Sequence, residues 1–197
     1  MTKEIWLIRH GETEWSLSGA HTGRTDIPLT ARGEQSARCL RPALHEHTFA
    51  AVFTSPLQRA LETCKLAGFE DEAVIDPNLM EWWYGDYEGR SSAEIQETRP
   101  GWSIWKDGVV NGETIGEVAA RAQAVIARAL SVDGDVLLFA HGHLLRILTA
   151  CWLELAPQTG RHFALETGRI CRLGFEKQHR VILGWNVEAA VSAAAPE

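Results

Sequence analysis

Short apolar runs recur along the chain, and several of them end directly at polar side chains. The runs EIWLI, AAVFT and DVLLFA cover residues 4–8, 50–54 and 135–140. Runs of this length, bounded by polar or turn residues, predict strands that are buried on both faces, as in a parallel sheet. Two later runs, RICRLGF (169–175) and RVILGW (180–185), flank a short polar turn and predict an antiparallel hairpin.

Helical patterns with recognisable start signals lie between the predicted strands. Thr30 can cap a helix that we predict over residues 30–44. Ser55 as N-cap, with Pro56 at the first helical position, predicts the start of a second helix. Further helices are predicted over 115–130 and 144–153.

Strands that alternate with helices predict an α/β domain with a mostly parallel sheet and an antiparallel strand late in the chain. No repeat or linker divides the sequence, so we predict a single domain over residues 1–188 and a flexible tail over 189–197. In such sheets, ligands bind beyond the carboxyl ends of the strands. The polar residues that follow the strands should therefore meet at one ligand-binding edge.

Composition narrows the choice of partners. The 197-residue chain has a formal net charge of −7 and a pI near 5.6, which argues against nucleic-acid or anionic-membrane binding. No apolar run approaches the roughly 18 to 20 residues of a membrane span. The four cysteines are scattered and the chain opens with polar MTKE, which indicates reduced thiols in a cytoplasmic protein. An anionic ligand would need a local cluster of positive groups.

Such a cluster is expected at the strand ends. Arg9 and His10 follow the first strand, Arg59 lies just after the second, and His141 follows a third. Arginine presents a planar fork that matches phosphate oxygens, and two arginines can neutralise a dianion. A neutral imidazole can attack phosphorus if its other nitrogen donates to a fixed acceptor, which the Gly11 backbone could supply. The pattern therefore indicates phosphoryl transfer.

Several motifs occur in an order that resembles a known family. LIRHGETEW is followed by TGRTDIPLTARGEQSA, SPLQRALET, a glutamate before YGDYEG, the segment NGET and finally HGHLLR, together over roughly residues 5–148. This ordered set is similar to the histidine phosphatase superfamily, and it is far more specific than a lone RHG. The resemblance implies a three-layer α/β sandwich of the phosphoglycerate mutase-like fold.

The resemblance also implies roles for individual residues. His10 corresponds to the phosphorylated nucleophile, and Arg9, Arg59 and His141 correspond to the phosphate pocket. Glu81 corresponds to the acid that protonates the leaving oxygen, and desolvation by the adjacent tryptophans would favour its protonated form. The substrate contacts that the resemblance implies, besides Arg9 and Arg59, are Ser16, Thr22, Gly23, Tyr84 and Gly142. Relatives often carry Asn where Ser16 stands.

The family contains phosphatases and mutases, and the segment after Glu81 separates them. Mutases carry a basic residue after this glutamate and an Asn-Lys pair after the second glycine, whereas this chain has Trp82-Trp83 and then Arg90-Ser91-Ser92. WSLSGAHTGRTDIPLT together with EWWYGDYEG is similar to the branch that includes sedoheptulose-bisphosphatase. We therefore predict a phosphatase of small phosphorylated metabolites, such as sugar phosphates or bisphosphates. The alternatives are a cofactor-dependent phosphoglycerate mutase and a non-catalytic phosphate-binding module.

We expect neither a metal nor a cofactor, because no carboxylates accompany the histidines in a two-metal pattern. The expected partner is a small phosphate ester, and the sequence is compatible with a homo-oligomer. Two features leave the substrate open. A second basic patch would favour bisphosphates, with Arg24, Arg90 and Arg99 as candidates, and an apolar rim would favour hydrophobic substrates, with Trp82, Trp83, Trp102 and Trp105 as candidates.

Overall fold

The computed structural model describes residues 3–189. Its strands are β1 (Ile5–Arg9), β2 (Ala51–Thr54), β3 (Ala73–Ile75), β4 (Val136–Ala140), β5 (Ile170–Glu176) and β6 (His179–Val187). Its α-helices are α1 (Glu14–Ser18), α2 (Ala31–His45), α3 (Gln58–Leu66), α4 (Ser92–Thr98), α5 (Ile104–Asp107), α6 (Ile115–Ser131) and α7 (Gly142–Trp152). Turns of 3₁₀ helix lie at Pro77–Leu79, Gly85–Tyr87 and Pro157–His162.

The six strands form one sheet in the order β3-β2-β4-β1-β5-β6. The pairs β2–β3, β2–β4 and β1–β4 are parallel, whereas β5 runs antiparallel to both β1 and β6. The mostly parallel sheet and the late hairpin are therefore confirmed. Because β2, β4 and β1 are neighbours, their carboxyl ends lie side by side at one edge of the sheet.

Helices cover both faces of the sheet. Along β1, Leu7 faces a core cluster that includes residues of α6 and α7, and Ile8 faces a second cluster that includes residues of α2 and α3. The alternation follows from the two-residue period of a strand. Because both faces are covered, β1 and β4 consist almost wholly of buried apolar residues. The predicted three-layer α/β sandwich is confirmed.

Two expectations from the sequence differ from the structure. Ser55 does not cap α3, because the helix begins at Gln58 with Leu57 in the capping position; the Ser55 hydroxyl instead pairs with His141. Ala189, assigned to the tail, is buried in the second core cluster. The rest of the predicted tail, 190–197, lies outside the described residues. Within residues 3–189, no helix is both long and apolar enough to cross a membrane.

Candidate active site

A polar side chain follows each of the three neighbouring parallel strands at the carboxyl edge of the sheet. His10 follows β1, Ser55 follows β2, and His141 follows β4. The rings of His10 and His141 have centroids 5.1 Å apart, and Nε2 of His141 lies 2.7 Å from Oγ of Ser55. The strand ends thus bring together two histidines that are 131 positions apart in the sequence.

The orientation of His10 is fixed by its own turn. Nδ1 of His10 lies 2.7 Å from the carbonyl oxygen of Gly11, so Nδ1 must be the donor and Nε2 carries the free lone pair. The Gly11 N–H donates to Oγ1 of Thr63 (3.0 Å), which in turn donates to the carbonyl of Arg59 (2.7 Å). A Cβ on Gly11 would lie 2.5 Å from the carbonyl oxygen of Gly33, so only glycine fits here.

Both histidines are neutral in the folded protein. Burial lowers the pKa of His10 and of His141 well below the ordinary value near 6.5, and the positive charges of Arg59 and Arg9 lower both further. At neutral pH, Nε2 of His10 therefore has the lone pair that an attack on phosphorus requires.

Two guanidinium groups and the neutral His141 ring have buried nitrogen atoms that are unpaired. Within residues 3–189, the Nε atoms of Arg9 and Arg59 and the Nδ1 atom of His141 are buried without a hydrogen-bond partner. With the Ser55 hydroxyl as donor to Nε2 of His141, Nδ1 of that ring carries a hydrogen. Buried donors are normally paired, so three unpaired donors close to the His10 ring are consistent with a place for an anion.

Arg59 is held by backbone carbonyls. Its guanidinium group donates to the carbonyls of Thr22 (3.1 Å), Gly23 (2.8 Å) and Thr25 (3.1 Å), and the side chain is fully buried. Thr22 and Gly23 were predicted as substrate contacts. Their carbonyls serve to position Arg59, and Thr22 also lines the cleft described below.

Glu88, which the sequence analysis did not single out, fixes this loop. Its carboxylate accepts from the N–H groups of Gly23 (3.1 Å), Arg24 (3.0 Å), Thr25 (3.3 Å) and Tyr84 (3.3 Å), and from the Thr25 hydroxyl (2.8 Å). A Cβ on Gly23 would lie 2.0 Å from this carboxylate. Glu88 therefore fixes the loop at residues 22–25, whose carbonyls in turn position Arg59.

The Glu81 side chain lies against the N-terminal end of α7. Its carboxylate accepts from the backbone N–H groups of Trp82 (2.8 Å), Leu144 (2.9 Å) and His143 (3.0 Å), and the residue is buried. The contacts lock the carboxyl group in position at the same cleft as His10.

These residues surround a cleft of about 160 Å³. The predicted site residues that line it are Arg9, His10, Ser16, Thr22, Glu81, Tyr84 and Gly142. Arg59 and His141 are fully buried beside it, and Gly23 takes part through its backbone. The Ser16 hydroxyl is engaged with the backbone of Thr13 at the start of α1, whereas the Tyr84 hydroxyl lies 2.8 Å from Nδ1 of His143.

The tryptophans that the sequence offered as a rim do not line this cleft. Trp82 and Trp102 are buried and donate their indole N–H groups to the carbonyls of Glu113 and Gly108. Trp83 stacks against Arg24 with the guanidinium carbon 4.8 Å from the ring centre. Trp15 is the tryptophan that reaches the cleft, and the sequence pattern gave no signal for it.

The basic residues proposed for a second patch are also elsewhere. Arg24, Arg90 and Arg99 do not line the cleft; Arg90 lies over the Tyr87 ring and Arg99 donates to the Tyr87 hydroxyl. Arg146, from the HGHLLR motif, lines the cleft instead. In the part of the chain that the structure describes, no group of three or more His, Cys, Asp or Glu side chains is arranged to hold a metal ion.

The fold is an α/β sandwich with a mostly parallel sheet, and the carboxyl edge of that sheet holds a neutral imidazole close to unpaired nitrogen donors. Residues 5–188 match the family model of the histidine phosphatase superfamily (branch 1). The chain belongs to this superfamily, and the prediction of a phosphatase from it is confirmed at that level.

Two relatives and one solved structure illustrate the similarity. The chain is 40% identical over 176 residues to an acid phosphatase of Mycobacterium tuberculosis, covering 87% of this chain and 86% of the relative. It is 38% identical over 190 residues to sedoheptulose 1,7-bisphosphatase of Saccharomyces cerevisiae, covering 80% and 70%. The structure of the Mycobacterium tuberculosis open reading frame Rv3214 superposes with a TM-score of 0.90 at 36% identity, covering 95% of this chain and 99% of that chain.

Proposed function

We propose that the protein is a metal-independent phosphomonoesterase that works through a phosphohistidine intermediate on His10. The observation that carries the proposal is the state of this imidazole: it is neutral, its Nδ1 is committed to the Gly11 carbonyl, and its Nε2 is free beside buried cationic donors. A residue with only a structural role would have no need of an unengaged ring nitrogen among unpaired donors.

In the first step, the phosphoryl group of the substrate binds between Arg9 and Arg59, with His141 donating to a non-bridging oxygen. Nε2 of His10 forms a bond to phosphorus as the bond from phosphorus to the alcohol oxygen breaks. The fixed guanidinium groups stabilise the charge on the transferring group, and they need no rearrangement to do so.

In the same step, Glu81 supplies the proton that the departing alcohol oxygen takes up. In the second step, the Glu81 carboxylate accepts a proton from the attacking water, whose oxygen bonds to phosphorus as the bond to His10 breaks. Inorganic phosphate leaves, and both residues return to their starting states. No oxidant, reductant or second substrate other than water is required.

The substrate class we propose is a small phosphorylated metabolite, a sugar phosphate or bisphosphate. The small cleft and the similarity to a relative named for a sugar bisphosphate support this choice. The four cysteines are free, which supports the proposal that the enzyme works in the reducing cytoplasm.

The test is phosphate release from p-nitrophenyl phosphate and from a panel of sugar phosphates by the wild type, His10→Ala and the control His179→Ala. His179 is an exposed histidine on β6. We expect His10→Ala to lose turnover while keeping its circular dichroism spectrum, and His179→Ala to match the wild type. Rapid acid-free quenching with ³²P-labelled substrate should show label on the wild type and on His179→Ala, and none on His10→Ala. Turnover by His10→Ala at the wild-type rate would falsify the mechanism.

The same panel separates the two alternatives. Interconversion of 2- and 3-phosphoglycerate faster than release of inorganic phosphate would identify a mutase. Binding of phosphate esters without turnover of any of them would identify a phosphate-binding module. The Trp82-Trp83 pair that replaces the basic residue of the mutases is the observation that favours the phosphatase.

A further inference from the structure

Arg121, on α6, uses every donor of its guanidinium group. Its Nε donates to one carboxylate oxygen of Glu113 (2.8 Å), and one Nη donates to the other (2.9 Å). The remaining N–H groups donate to the backbone carbonyls of Asn78 (2.8 Å), Met80 (2.8 Å) and Glu81 (3.4 Å). Five N–H groups therefore meet five acceptors, which is the full capacity of an arginine.

This arrangement leaves Arg121 without a donor for a ligand. Arg9 and Arg59 differ from it, because their Nε atoms are unpaired within residues 3–189. Arg121 does not line the cleft, and the carboxylate of Glu113 balances its charge. Arg121 therefore takes no direct part in binding phosphate, and any effect it has on the reaction must act through the groups that it holds.

Glu113 holds the residues on the other side of Glu81. Its carboxylate accepts from the N–H of Trp83 (2.9 Å), and its own N–H donates to the carbonyl of Trp83 (2.9 Å). Its carbonyl accepts from the indole of Trp82 (2.7 Å). The side chains of Arg121 and Glu113 are only 18% and 11% exposed. The pair thus contacts the chain before Glu81, at Glu81 and after it, and these contacts are largely shielded from water.

The segment that the pair holds carries the proposed acid. Two of the three N–H groups that fix the Glu81 carboxylate come from His143 and Leu144, at the start of α7, and the third comes from Trp82. The position of the carboxyl group therefore depends on α7 and on the backbone of residues 78–83. A misplacement near 1 Å can cost a catalytic group about 100-fold in rate. Loss of the second anchor would therefore affect proton transfer even if α7 is intact.

We propose that Arg121 and Glu113 are positioning residues that hold the Glu81 carboxyl group where it can protonate the departing alcohol oxygen. The proton moves from Glu81 to this oxygen as the bond from the oxygen to phosphorus breaks. The inference rests on the proposed function and adds to it two residues that do not line the cleft. The competing explanation is that the pair only joins α6 to the 3₁₀ turn at Pro77–Leu79 and so stabilises the fold.

The experiment compares two phosphate esters whose leaving groups differ in their need for a proton. Glycerol 3-phosphate releases an alkoxide oxygen that must be protonated, whereas p-nitrophenyl phosphate releases a phenolate that is stable without a proton. We would measure kcat, KM and Tm for the wild type, Glu81→Gln, Arg121→Gln, the double variant Glu113→Gln/Arg121→Gln and the control Arg172→Gln. Arg172, on β5, is also a partly buried arginine, and it pairs with a carboxylate outside the cleft, that of Glu4 (3.5 Å).

The ratio of the two kcat values reports the position of the acid. We expect Arg121→Gln to lower kcat on glycerol 3-phosphate about 10-fold more than kcat on p-nitrophenyl phosphate, because a displaced acid protonates the leaving group less efficiently. Glu81→Gln should shift the ratio in the same direction. KM should stay within about 3-fold of the wild-type value for both esters, because the phosphate pocket is intact. Arg172→Gln should keep the wild-type ratio.

The double variant separates positioning from stability. Arg121→Gln leaves the Glu113 carboxylate buried without its partner, which destabilises the fold, whereas removal of both charges relieves that cost. We therefore expect the double variant to recover most of the Tm that Arg121→Gln loses. It should still discriminate about 10-fold between the two esters, because the carbonyls of residues 78–81 lack most of their donors. If Arg121→Gln does not fold, the double variant carries the comparison.

Equal losses of kcat on the two esters in Arg121→Gln would overturn the inference, and so would a discrimination that disappears in the double variant. Either result would show that the pair only stabilises the fold. Glu81→Gln distinguishes this failure from a failure of the proposed function. If Glu81→Gln discriminates between the esters and Arg121→Gln does not, only this inference fails. If Glu81→Gln slows both esters equally, the acid role of Glu81 in the proposed function fails as well.

Discussion

Thr63 offers a direct test of how the site is held together. Its buried hydroxyl accepts from the N–H of Gly11 and donates to the carbonyl of Arg59. It therefore joins the turn that orients His10 to the helix that carries Arg59. Thr63→Val replaces the hydroxyl with a methyl group of similar size, so the main change is the loss of these two hydrogen bonds.

The expected cost follows from the unpaired N–H that the valine leaves behind. A buried donor without an acceptor costs about 1–3 kcal/mol, which lowers Tm by about 2–12 °C for a chain of this length. Gly11 also carries the carbonyl that fixes His10, so a shift of Gly11 would misplace the proposed nucleophile. We expect kcat to fall by about 10- to 100-fold, since misplacements near 1 Å can cost that much.

Thr63→Ser is the matched control, because it keeps the hydroxyl and removes one methyl group. It should lose roughly 1 kcal/mol of stability but keep most of its turnover. Thermal unfolding followed by circular dichroism and hydrolysis of p-nitrophenyl phosphate measure the two effects separately. A valine variant with wild-type kcat, or a serine variant as slow as the valine variant, would refute the reasoning.

Four further predictions concern charge and protonation. Glu88→Gln should reduce kcat/KM by about 10-fold or more because the loop that holds Arg59 loses its anionic acceptor, whereas Glu94→Gln, at an exposed helix cap, should match the wild type in the same assay. Glu81→Gln should slow an alkyl phosphate at least about 10-fold more than p-nitrophenyl phosphate, whose leaving group hardly needs a proton; equal losses would remove Glu81 from the acid role. The folded state keeps His10 and His141 neutral, so below a pH of about 6.5 the unfolded state binds more protons than the folded state. Each of these two histidines should therefore lower the free energy of unfolding by about 1.4 kcal/mol per pH unit as the pH falls from about 6 to 5. Urea titrations that give the same stability at both pH values would contradict this. Dialysis against EDTA should leave turnover unchanged, and a loss that added Mg²⁺ or Zn²⁺ restores would show that a metal takes part.

Local patterns were sufficient to predict the centre of the site. The apolar runs predicted β1 and β4. Because parallel strands end at the same edge of a sheet, they also predicted that His10 lies near His141. The acceptor for Nδ1 of His10 was also predictable, because a glycine directly after the histidine allows the turn to bring its carbonyl close. These inferences depend on neighbours in sequence or on the simplest feature of the topology.

The parts that the sequence did not predict depend on contacts between distant segments. Glu88 and Gly23 are 65 positions apart in the sequence, and nothing in the pattern YEG indicates an acceptor for backbone N–H groups. Arg146 reaches the cleft only because α7 begins at the edge of the sheet. The predicted start of α3 was wrong for the same reason. The hydrogen bond between the Ser55 hydroxyl and His141, which is distant in sequence, cannot be predicted from a local capping pattern.

The contacts of Glu88 with the loop at residues 23–25 indicate which positions of that loop tolerate substitution and which do not. The Glu88 carboxylate contacts mainly backbone N–H groups. The position of Arg59 therefore depends on the backbone path of this loop and on a glycine at position 23. The contact with Arg24 is through its backbone N–H, and the Arg24 side chain stacks on Trp83. A library randomised at position 24 would vary the surface beside the candidate site while Arg59 stays in place, so this loop is a suitable starting point for engineering.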